Sequence, residues 1–183
     1  MRNLFWDSCV FNAFLYDEKH IYDVDSIVQY LDEARQRQFR IYTSSIILTE
    51  IAASKIKVRG VGSAMDFIND LMGACVEIDA SVNILNLAGQ LRDLPYRKHQ
   101  SGKRKLTTGD AIMLASALHL EEAYGARLSA FHTFDDGGTK GEVPLLSYHE
   151  WCEGFSGAQL TLARRVIDLP RMKPVHPAPK LKM

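Results

Sequence analysis

Short apolar runs alternate with longer amphipathic stretches along most of this chain. The short runs predict buried strands at residues 4–6, 40–43, 75–78 and 127–134. Apolar residues recur at helical spacing in stretches at residues 21–39, 63–72, 81–94 and 111–124. Because strands alternate with helices, we expect an α/β fold in three layers, with a mostly parallel sheet flanked by helices.

The C-terminal third predicts a fifth strand and an appended segment. Residues 143–147 form the strand candidate, and Pro144 favours an edge position or a strand start. An amphipathic helix is predicted after Gly157, through about Ile167. From Pro170 the chain is rich in proline and lysine, which is typical of an extended or disordered tail. We therefore expect a domain at residues 1–155, followed by a C-terminal helix and tail at residues 156–183.

Composition narrows the class of protein. The 183 residues carry 22 basic and 22 acidic side chains, so any contact with a nucleic acid requires a local patch. Cys9, Cys75 and Cys152 lack metal-ligand spacing and are typical of reduced thiols in the cytosol. No apolar stretch reaches the ~20 residues of a membrane span, and the N-terminus lacks a signal-peptide pattern. We expect a cytoplasmic protein without a membrane segment.

Four acidic residues follow apolar runs and are the candidates for chemistry. Each stands near a predicted strand end or helix start; they are Asp7, Glu50, Asp110 and Asp135. These positions meet at one edge of an α/β sheet, where such sheets bind ligands. Four carboxylates gathered there require a counter-charge, and oxygen ligands suit Mg²⁺ or Mn²⁺.

Each acid also has a structural interpretation. Asp7 is a favoured helix N-cap type, and Asp110 fits a capping box with Thr107. Glu50 is compatible with a solvated helix position. Asp135 precedes Asp136-Gly137-Gly138 and fits a turn, and the sequence leaves open which of the two adjacent acids faces a ligand.

The order of these motifs resembles that of a PIN domain. Asp7-Ser8 follows the first strand, Thr49-Glu50 follows Ser44-Ser45, and Thr107-Thr108-Gly109-Asp110 leads into an Ala/Leu-rich helix, with Thr133-Phe134-Asp135 after it. More narrowly, residues 4–153 are similar to the VapC-like toxin ribonucleases of toxin–antitoxin pairs. The resemblance implies a five-stranded parallel sheet, Mg²⁺- or Mn²⁺-dependent endoribonuclease activity on RNA, an antitoxin partner and a homodimer.

The resemblance also implies roles for individual residues. Asp7 and Asp110 would coordinate the main ion, and Glu50 and Asp135 would complete the cluster or position the nucleophile. The supporting residues carried over are the hydroxyl of Thr133, Ser8 next to Asp7, and Asn12 as a helper polar residue. Phosphodiester cleavage develops negative charge, which a carboxylate-held cation offsets.

A basic loop before Asp110 is the second candidate. Its cations are Arg97, Lys98, Lys103, Arg104 and Lys105. One interpretation is a solvated loop, and the other is a clamp for RNA phosphates in which Tyr96 stacks on an unpaired base.

Two rival functions place acids on a similar fold. A non-catalytic RNA-binding or assembly module would keep the acids for structure. A phosphotransfer domain, either a receiver or a haloacid-type phosphatase, would also carry acids at strand ends. The phosphatase is disfavoured because Asp7-Ser8-Cys9 lacks the second aspartate of Asp-x-Asp. The receiver is disfavoured because Glu50 and Asp110 are predicted within helices.

Overall fold

The computed structural model describes residues 1–71, 73–99 and 102–177. The described strands are β1 (Arg2–Trp6), β2 (Phe39–Ser44), β3 (Cys75–Ile78), β4 (Arg97–Lys98), β5 (Gly102–Lys103), β6 (Leu128–His132) and β7 (Arg171–Met172). The described α-helices are α1 (Ser8–Leu15), α2 (Val24–Arg35), α3 (Ile47–Glu50), α4 (Ala64–Asp70), α5 (Val82–Arg92), α6 (Thr108–Tyr124) and α7 (Gly157–Ile167). Single 3₁₀ turns occur at Ala53–Lys55 and Tyr148–Trp151.

Five strands form one parallel sheet in the order β3-β2-β1-β6-β7. From β1 the chain builds outward through β2 and β3 and later returns to the other side of β1 with β6. The direction in which the chain adds strands to the sheet therefore reverses between β1 and β6. The crevice between the carboxyl ends of these two strands is the topological switch point of the sheet. The two central strands are fully buried there, and the rings of Phe5 and Phe131 stack with centroids 5.1 Å apart.

Helices cover both faces of the sheet. Phe39 of β2 packs against Tyr30 of α2, and Ser44 of the same strand bonds to Ser116 of α6 at 2.9 Å. These two strand positions are an odd number of residues apart, so their side chains project to opposite faces. The predicted three-layer α/β fold with a five-stranded sheet is confirmed, and all of its pairings are parallel.

The identity of the fifth strand was predicted wrongly. Residues 143–147 form a buried loop, because their backbone groups are used elsewhere: Val143 N–H donates to the Lys105 carbonyl, and Leu145 N–H donates to the Asp135 carboxylate. The fifth strand is β7, which pairs with β6 at Phe131 and His132.

The predicted tail is ordered over its described part. His176 is buried, its N–H donates to Ser26 Oγ at 3.0 Å, and its ring packs edge-on against Tyr30 of α2. Of the two predicted alternatives, the disordered tail is wrong for residues 170–177, which include the extended strand β7, and residues 178–183 lie outside the described ranges. The division at residue 155 stays a prediction, although β7, beyond it, is a strand of the same sheet.

Several smaller predictions can also be compared with the structure. Ser81 caps α5, and Gly125 ends α6 in the left-handed conformation at φ 61°, as expected. Ser44 and Ser45 do not cap α3, because their hydroxyls bond to Ser116 and to Ala80 N–H. All three cysteines are free thiols. Within the described residues, no helix combines the length and apolarity needed to cross a bilayer.

Candidate functional site

Asp7 occupies the crevice between the carboxyl ends of β1 and β6. It is the N-cap of α1 and is only 3% exposed. One carboxylate oxygen accepts the Ser8 N–H at 2.7 Å, and the other accepts the Thr133 hydroxyl at 2.7 Å and the Cys9 thiol at 3.0 Å. Hydrogen-bond donors that follow β1 (Ser8 and Cys9) and β6 (Thr133) therefore hold the Asp7 carboxylate in one orientation.

Thr133 connects Asp7 to the next acid along the chain. Its hydroxyl donates to Asp7 and accepts the Asp135 N–H at 3.0 Å. Its own N–H donates to the Met172 carbonyl of β7 at 3.0 Å. Thr133, which the resemblance places beside the last acid, thus contacts both Asp7 and Asp135, and β7 helps to hold it.

Cys9 also supports Asp7, and sequence reasoning missed this contact. Its sulfur accepts the Phe134 N–H at 3.1 Å while its thiol points to Asp7. Burial, and then the nearby Asp7 charge, raise the pKa of Cys9 well above its ordinary value, so the thiol keeps its proton and acts as a donor. A cysteine two residues after an acid carries no specific signal in sequence.

The open choice between Asp135 and Asp136 is answered by their contacts. Asp135 turns inward, and its two carboxylate oxygens accept the Gly137 N–H at 3.2 Å and the Leu145 N–H at 2.8 Å. Asp136 is exposed and pairs with Lys173 at 3.0 Å. Asp135 is the acid that faces the other carboxylates.

Asp110 and Glu50 approach from α6 and α3. Thr107 caps α6 by accepting the Asp110 N–H at 3.0 Å, and its hydroxyl donates back to the Asp110 carboxylate. Glu50 is exposed and ends α3 with its carboxylate against Gly109, where any Cβ atom would overlap it. The glycine therefore makes room for Glu50 beside the start of α6.

The four carboxylates act on one another electrostatically. Burial raises the pKa of Asp110 to about 7, and the charges of Asp7, Asp135 and Glu50 add to the rise against an opposing bond from Thr107. Glu50 is exposed as a whole residue, but partial desolvation of its carboxylate, and then the charge of Asp7, raise the pKa of Glu50, while a hydrogen bond from Ser8 lowers it. Burial likewise raises the pKa of Asp135, with Asp7 and Asp136 adding to it and two backbone N–H groups opposing it. Asp7 therefore lies within electrostatic reach of all three partners.

No basic side chain balances this charge in the described part of the chain. None of its Lys, Arg or His nitrogens lies within 4.0 Å of these four carboxylates. Nor do any three acidic, histidine or cysteine side chains there already form a metal-ligand group. The four acids interact electrostatically without forming such a group. Their donor chemistry fits a hard divalent cation that keeps several of its waters between itself and the carboxylates.

Three of the four acids also have the cap or turn contacts that a purely structural role predicts. Asp7 caps α1, and Asp135 accepts the N–H two residues on, as a turn-forming aspartate does. Asp110 is bonded to its cap residue. These roles fix three carboxylates at the edge of the sheet, but caps and turns do not account for their convergence or for the missing counter-charge.

Asn12 lies one turn beyond Ser8 on α1. Its side-chain oxygen is buried, and it has no hydrogen-bond partner among the described residues. It lines a cavity of about 490 Å³ beside Cys9. An acceptor left unpaired in such a place requires a donor from outside the described protein.

The basic loop is a hairpin of β4 and β5, with residues 100 and 101 outside the described ranges. Three of its cations are used within the fold. Arg97 donates to the Glu153 carbonyl, Lys98 pairs with Glu150, and Arg104 donates to the Glu142 carbonyl and lies 4.2 Å over the Trp151 ring. Lys103 and Lys105 are exposed and have no ion pair with a described residue.

The role predicted for Tyr96 is wrong. Tyr96 is fully buried, and its hydroxyl donates to the Leu91 carbonyl and shares a hydrogen bond with Tyr148. Its ring packs between Tyr148 and Phe155, which leaves no face for a base. The aromatic residue of the loop is part of the core.

No protein-family model matches the chain. Searches of curated proteins and of solved structures found no match either. The functional conclusion therefore depends on the fold and on the geometry of this site.

Proposed function

We propose that this protein is a Mg²⁺- or Mn²⁺-dependent endoribonuclease of the PIN type. The observation that supports this most strongly is the set of four acids at the switch point of the sheet. Burial, and then the charge of Asp7, raise the pKa of the other three, and no described cation lies within 4.0 Å of them. A site that holds negative charge together in this way is suited to a divalent cation.

The proposed roles follow from how each acid is held. Asp7 and Asp110 are the principal ligands, since both lie at fixed helix starts. Glu50 and Asp135 complete the negative site from its rim. Thr133 and Cys9 orient Asp7 by donating to it. When bound, the cation supplies charge neutralisation at the phosphate and a more acidic water.

The protein's own groups also control protonation. Because the pKa of Asp110 is raised to about 7, this carboxyl carries a proton during much of the time near neutral pH when no cation is present. Cation binding requires its ionised form, so binding and proton release are coupled.

The wider setting is proposed from the sequence resemblance. The protein would be a cytoplasmic toxin, held silent by an antitoxin and paired as a homodimer. Removing residues 156–183 is a poor test of partner binding, because it also removes β7 and the Met172 carbonyl that holds Thr133. An antitoxin partner is better sought by co-expressing the intact chain with the product of a neighbouring short reading frame.

The first test is cleavage of a pooled RNA by the intact protein. We expect cleavage with Mg²⁺ or Mn²⁺, none with EDTA, and none by the Asp7→Asn variant. Asparagine can keep the helix cap and removes the charge, but it turns an amide toward the Thr133 hydroxyl and the Cys9 thiol, so a thermal melt of the variant accompanies the assay. Asp136→Asn is the matched control, because Asp136 is exposed and paired with Lys173. Cleavage that survives EDTA, or Asp7→Asn activity equal to that of Asp136→Asn, would disprove the proposal.

A second prediction concerns Gly109. A Gly109→Ala variant should fold as well as the wild type, since alanine is favoured over glycine in a helix. Its methyl group would overlap the Glu50 carboxylate and push it out of the site. We expect cleavage to fall by ~10-fold or more, in the range seen when groups around a metal site are disturbed.

The control for this substitution is Gly89→Ala in α5, where an added Cβ meets nothing within 4 Å. Thermal melts and cleavage rates of the two variants are compared side by side. Equal cleavage by both would mean that the position of Glu50 does not matter.

One observation favours a non-catalytic module instead. The described residues contain no ready-made group of three metal ligands. If the protein binds RNA but neither binds Mn²⁺ nor cuts RNA, this second function is the correct one. A phosphotransfer receiver stays disfavoured, because Glu50 ends α3 and Asp110 lies in the first turn of α6 rather than at strand ends.

A further inference from the structure

A short basic segment follows α3 and is tied to the C-terminal end of α1. In residues 55–59, three cations alternate with two apolar residues. Ile56 and Val58 pack against the core, whereas Lys55, Lys57 and Arg59 are exposed. The Lys57 N–H donates to the Leu15 carbonyl at 2.8 Å, which ties the segment to the end of α1. The alternation thus presents three positive charges toward solvent beside the helix that Asp7 caps.

These cations have no partner within the described fold. None of the three forms an ion pair with a described residue. Lys55 lies 5.9 Å over the ring of Tyr16, and Lys57 acts electrostatically on Asp17 without forming an ion pair with it. In the hairpin, by contrast, Lys98 is paired with Glu150 and Arg104 is stacked on Trp151. Lys103 and Lys105 of the hairpin are also unpaired, but residues 55–59 are distinct in placing three exposed cations at alternate positions of five consecutive residues.

The cavity of about 490 Å³ lies between this segment and the acidic site. Lys55 and Lys57 form part of its wall, and Cys9, whose sulfur is 3.0 Å from an Asp7 carboxylate oxygen, forms another part. Its volume is within the range of small-ligand sites. A molecule in the cavity would reach the acidic site at Cys9 and the cations at its opposite wall.

The remaining wall offers groups that suit a nucleobase. The ring of Tyr22 lines the cavity and is held by stacking on Phe134, with centroids 4.2 Å apart. Asn12, whose buried oxygen is an acceptor unpaired among the described residues, belongs to the same wall, as do Glu18 and His20. Aromatic rings and polar edge contacts are how proteins hold unpaired bases, and the cations beside them suit phosphates.

We propose that this cavity binds a nucleotide of single-stranded RNA next to the cleaved bond, with the adjoining phosphates on Lys55, Lys57 and Arg59. The proposal rests on the proposed ribonuclease function and assigns its substrate path. The RNA would enter along residues 55–59, place one base against Tyr22 and Asn12, and bring the next phosphate to the four acids.

The test compares two triple variants of the full-length protein. The first is Lys55→Gln/Lys57→Gln/Arg59→Gln. The second is Arg40→Gln/Arg92→Gln/Arg127→Gln, which removes the same amount of charge. Arg40 lies at the start of β2 and Arg127 just before β6, so both are at the amino ends of the strands, opposite to the acids. The control cations are exposed and form no ion pair with a described residue. Binding of a fluorescein-labelled single-stranded RNA pool is measured by anisotropy in EDTA, over a series of salt concentrations.

We expect the first triple to weaken binding ~10-fold or more at low salt. The slope of log affinity against log salt should become shallower by about 2, since each lost phosphate contact removes about 0.7. In Mn²⁺ the same variant should show a higher KM with kcat retained, because the four acids are untouched. The control triple should keep most of the wild-type slope and KM.

The outcomes separate the two proposals. If the wild type cuts RNA and the two triple variants have the same affinity, salt slope and KM, the proposed substrate path is wrong and the ribonuclease function is supported. If the wild type binds RNA without cutting it, and only the first triple weakens binding, the path is correct and the nuclease function fails. If the wild type does not bind RNA at all, both are overturned.

Discussion

The Asp110→Asn variant is expected to lose RNA cleavage and yet to be more stable than the wild type in metal-free buffer near pH 7. Burial and the other three acids raise the pKa of Asp110 to about 7, so ionising this group opposes folding. Asparagine removes that charge and keeps the backbone N–H that Thr107 accepts. The shift corresponds to at most about 4 kcal/mol of stability near neutral pH.

The loss of activity has a separate cause. Asp110 is a principal ligand of the proposed cation, and the cation's contribution to phosphodiester cleavage is several kcal/mol. We therefore expect a decrease of ~1,000-fold or more in the cleavage rate. Thermal melts in EDTA and cleavage assays in Mn²⁺ measure the two effects on the same preparations.

Asp136→Asn serves as the control in both assays. It loses only an exposed pair with Lys173, which contributes about 1 kcal/mol or less. A drop in the melting temperature of Asp110→Asn, or cleavage close to that of Asp136→Asn, would contradict the account.

The stability gap between Asp110→Asn and the wild type should also depend on pH and on Mn²⁺. A carboxyl whose folded pKa is raised costs nothing below its unfolded pKa of 3.8, and its cost grows as pH rises to about 7. The difference in the free energy of unfolding between the two proteins, called the gap below, should therefore increase between about pH 4 and pH 7 and stay constant above that. Mn²⁺ above one thousand times Kd should reverse the ranking, since it stabilises the form that binds it, by about 4.1 kcal/mol at one thousand times Kd.

The comparison uses a difference because another buried group titrates in the opposite direction. Burial lowers the pKa of His132 to about 4, so its contribution to stability increases with pH from about 4 to 6.5. His132 is common to both proteins, and its effect cancels in the gap. Urea unfolding of both proteins at several pH values, with EDTA or Mn²⁺, measures the gap directly. A gap that is constant with pH, or a ranking that Mn²⁺ leaves unchanged, would count against the carboxylate cluster.

Much of the sheet could be predicted from sequence because its inner strands are apolar on both faces. The runs around Phe5, Ile41 and Phe131 belong to buried parallel strands, which give continuous hydrophobic patterns. The edge strand was missed because Arg171 and Met172 follow a proline and have no apolar pattern. Conversely, Val143 and Leu145 are as buried as strand residues, and their hydrogen-bond partners in a loop cannot be seen in the sequence.

The residues of the site also divide into those that the sequence indicates and those that only the folded chain reveals. Asp7 and Asp135 are candidates in the sequence because strand ends of a parallel sheet share one edge, and Glu50 and Asp110 are candidates because they stand in helices that follow such strands or begin at that edge. Cys9 beside Asp7 and Lys173 beside Asp136 depend on contacts that only the folded chain creates. The basic segment at residues 55–59 had a visible signal, since alternating cations share one side of an extended chain. The denser basic loop is the stronger signal in the sequence, but most of its cations are used within the fold.

The central claim is that Asp7, Glu50, Asp110 and Asp135 together hold a divalent cation, and titration calorimetry with Mn²⁺ tests it most directly. Near pH 7 the wild type should bind Mn²⁺ with release of protons, seen as a heat that depends on the buffer's ionisation enthalpy. Asp136→Asn should behave in the same way, and Asp110→Asn should show neither the binding nor the proton release. Absence of binding by the wild type, or equal binding by Asp110→Asn, would contradict the claim.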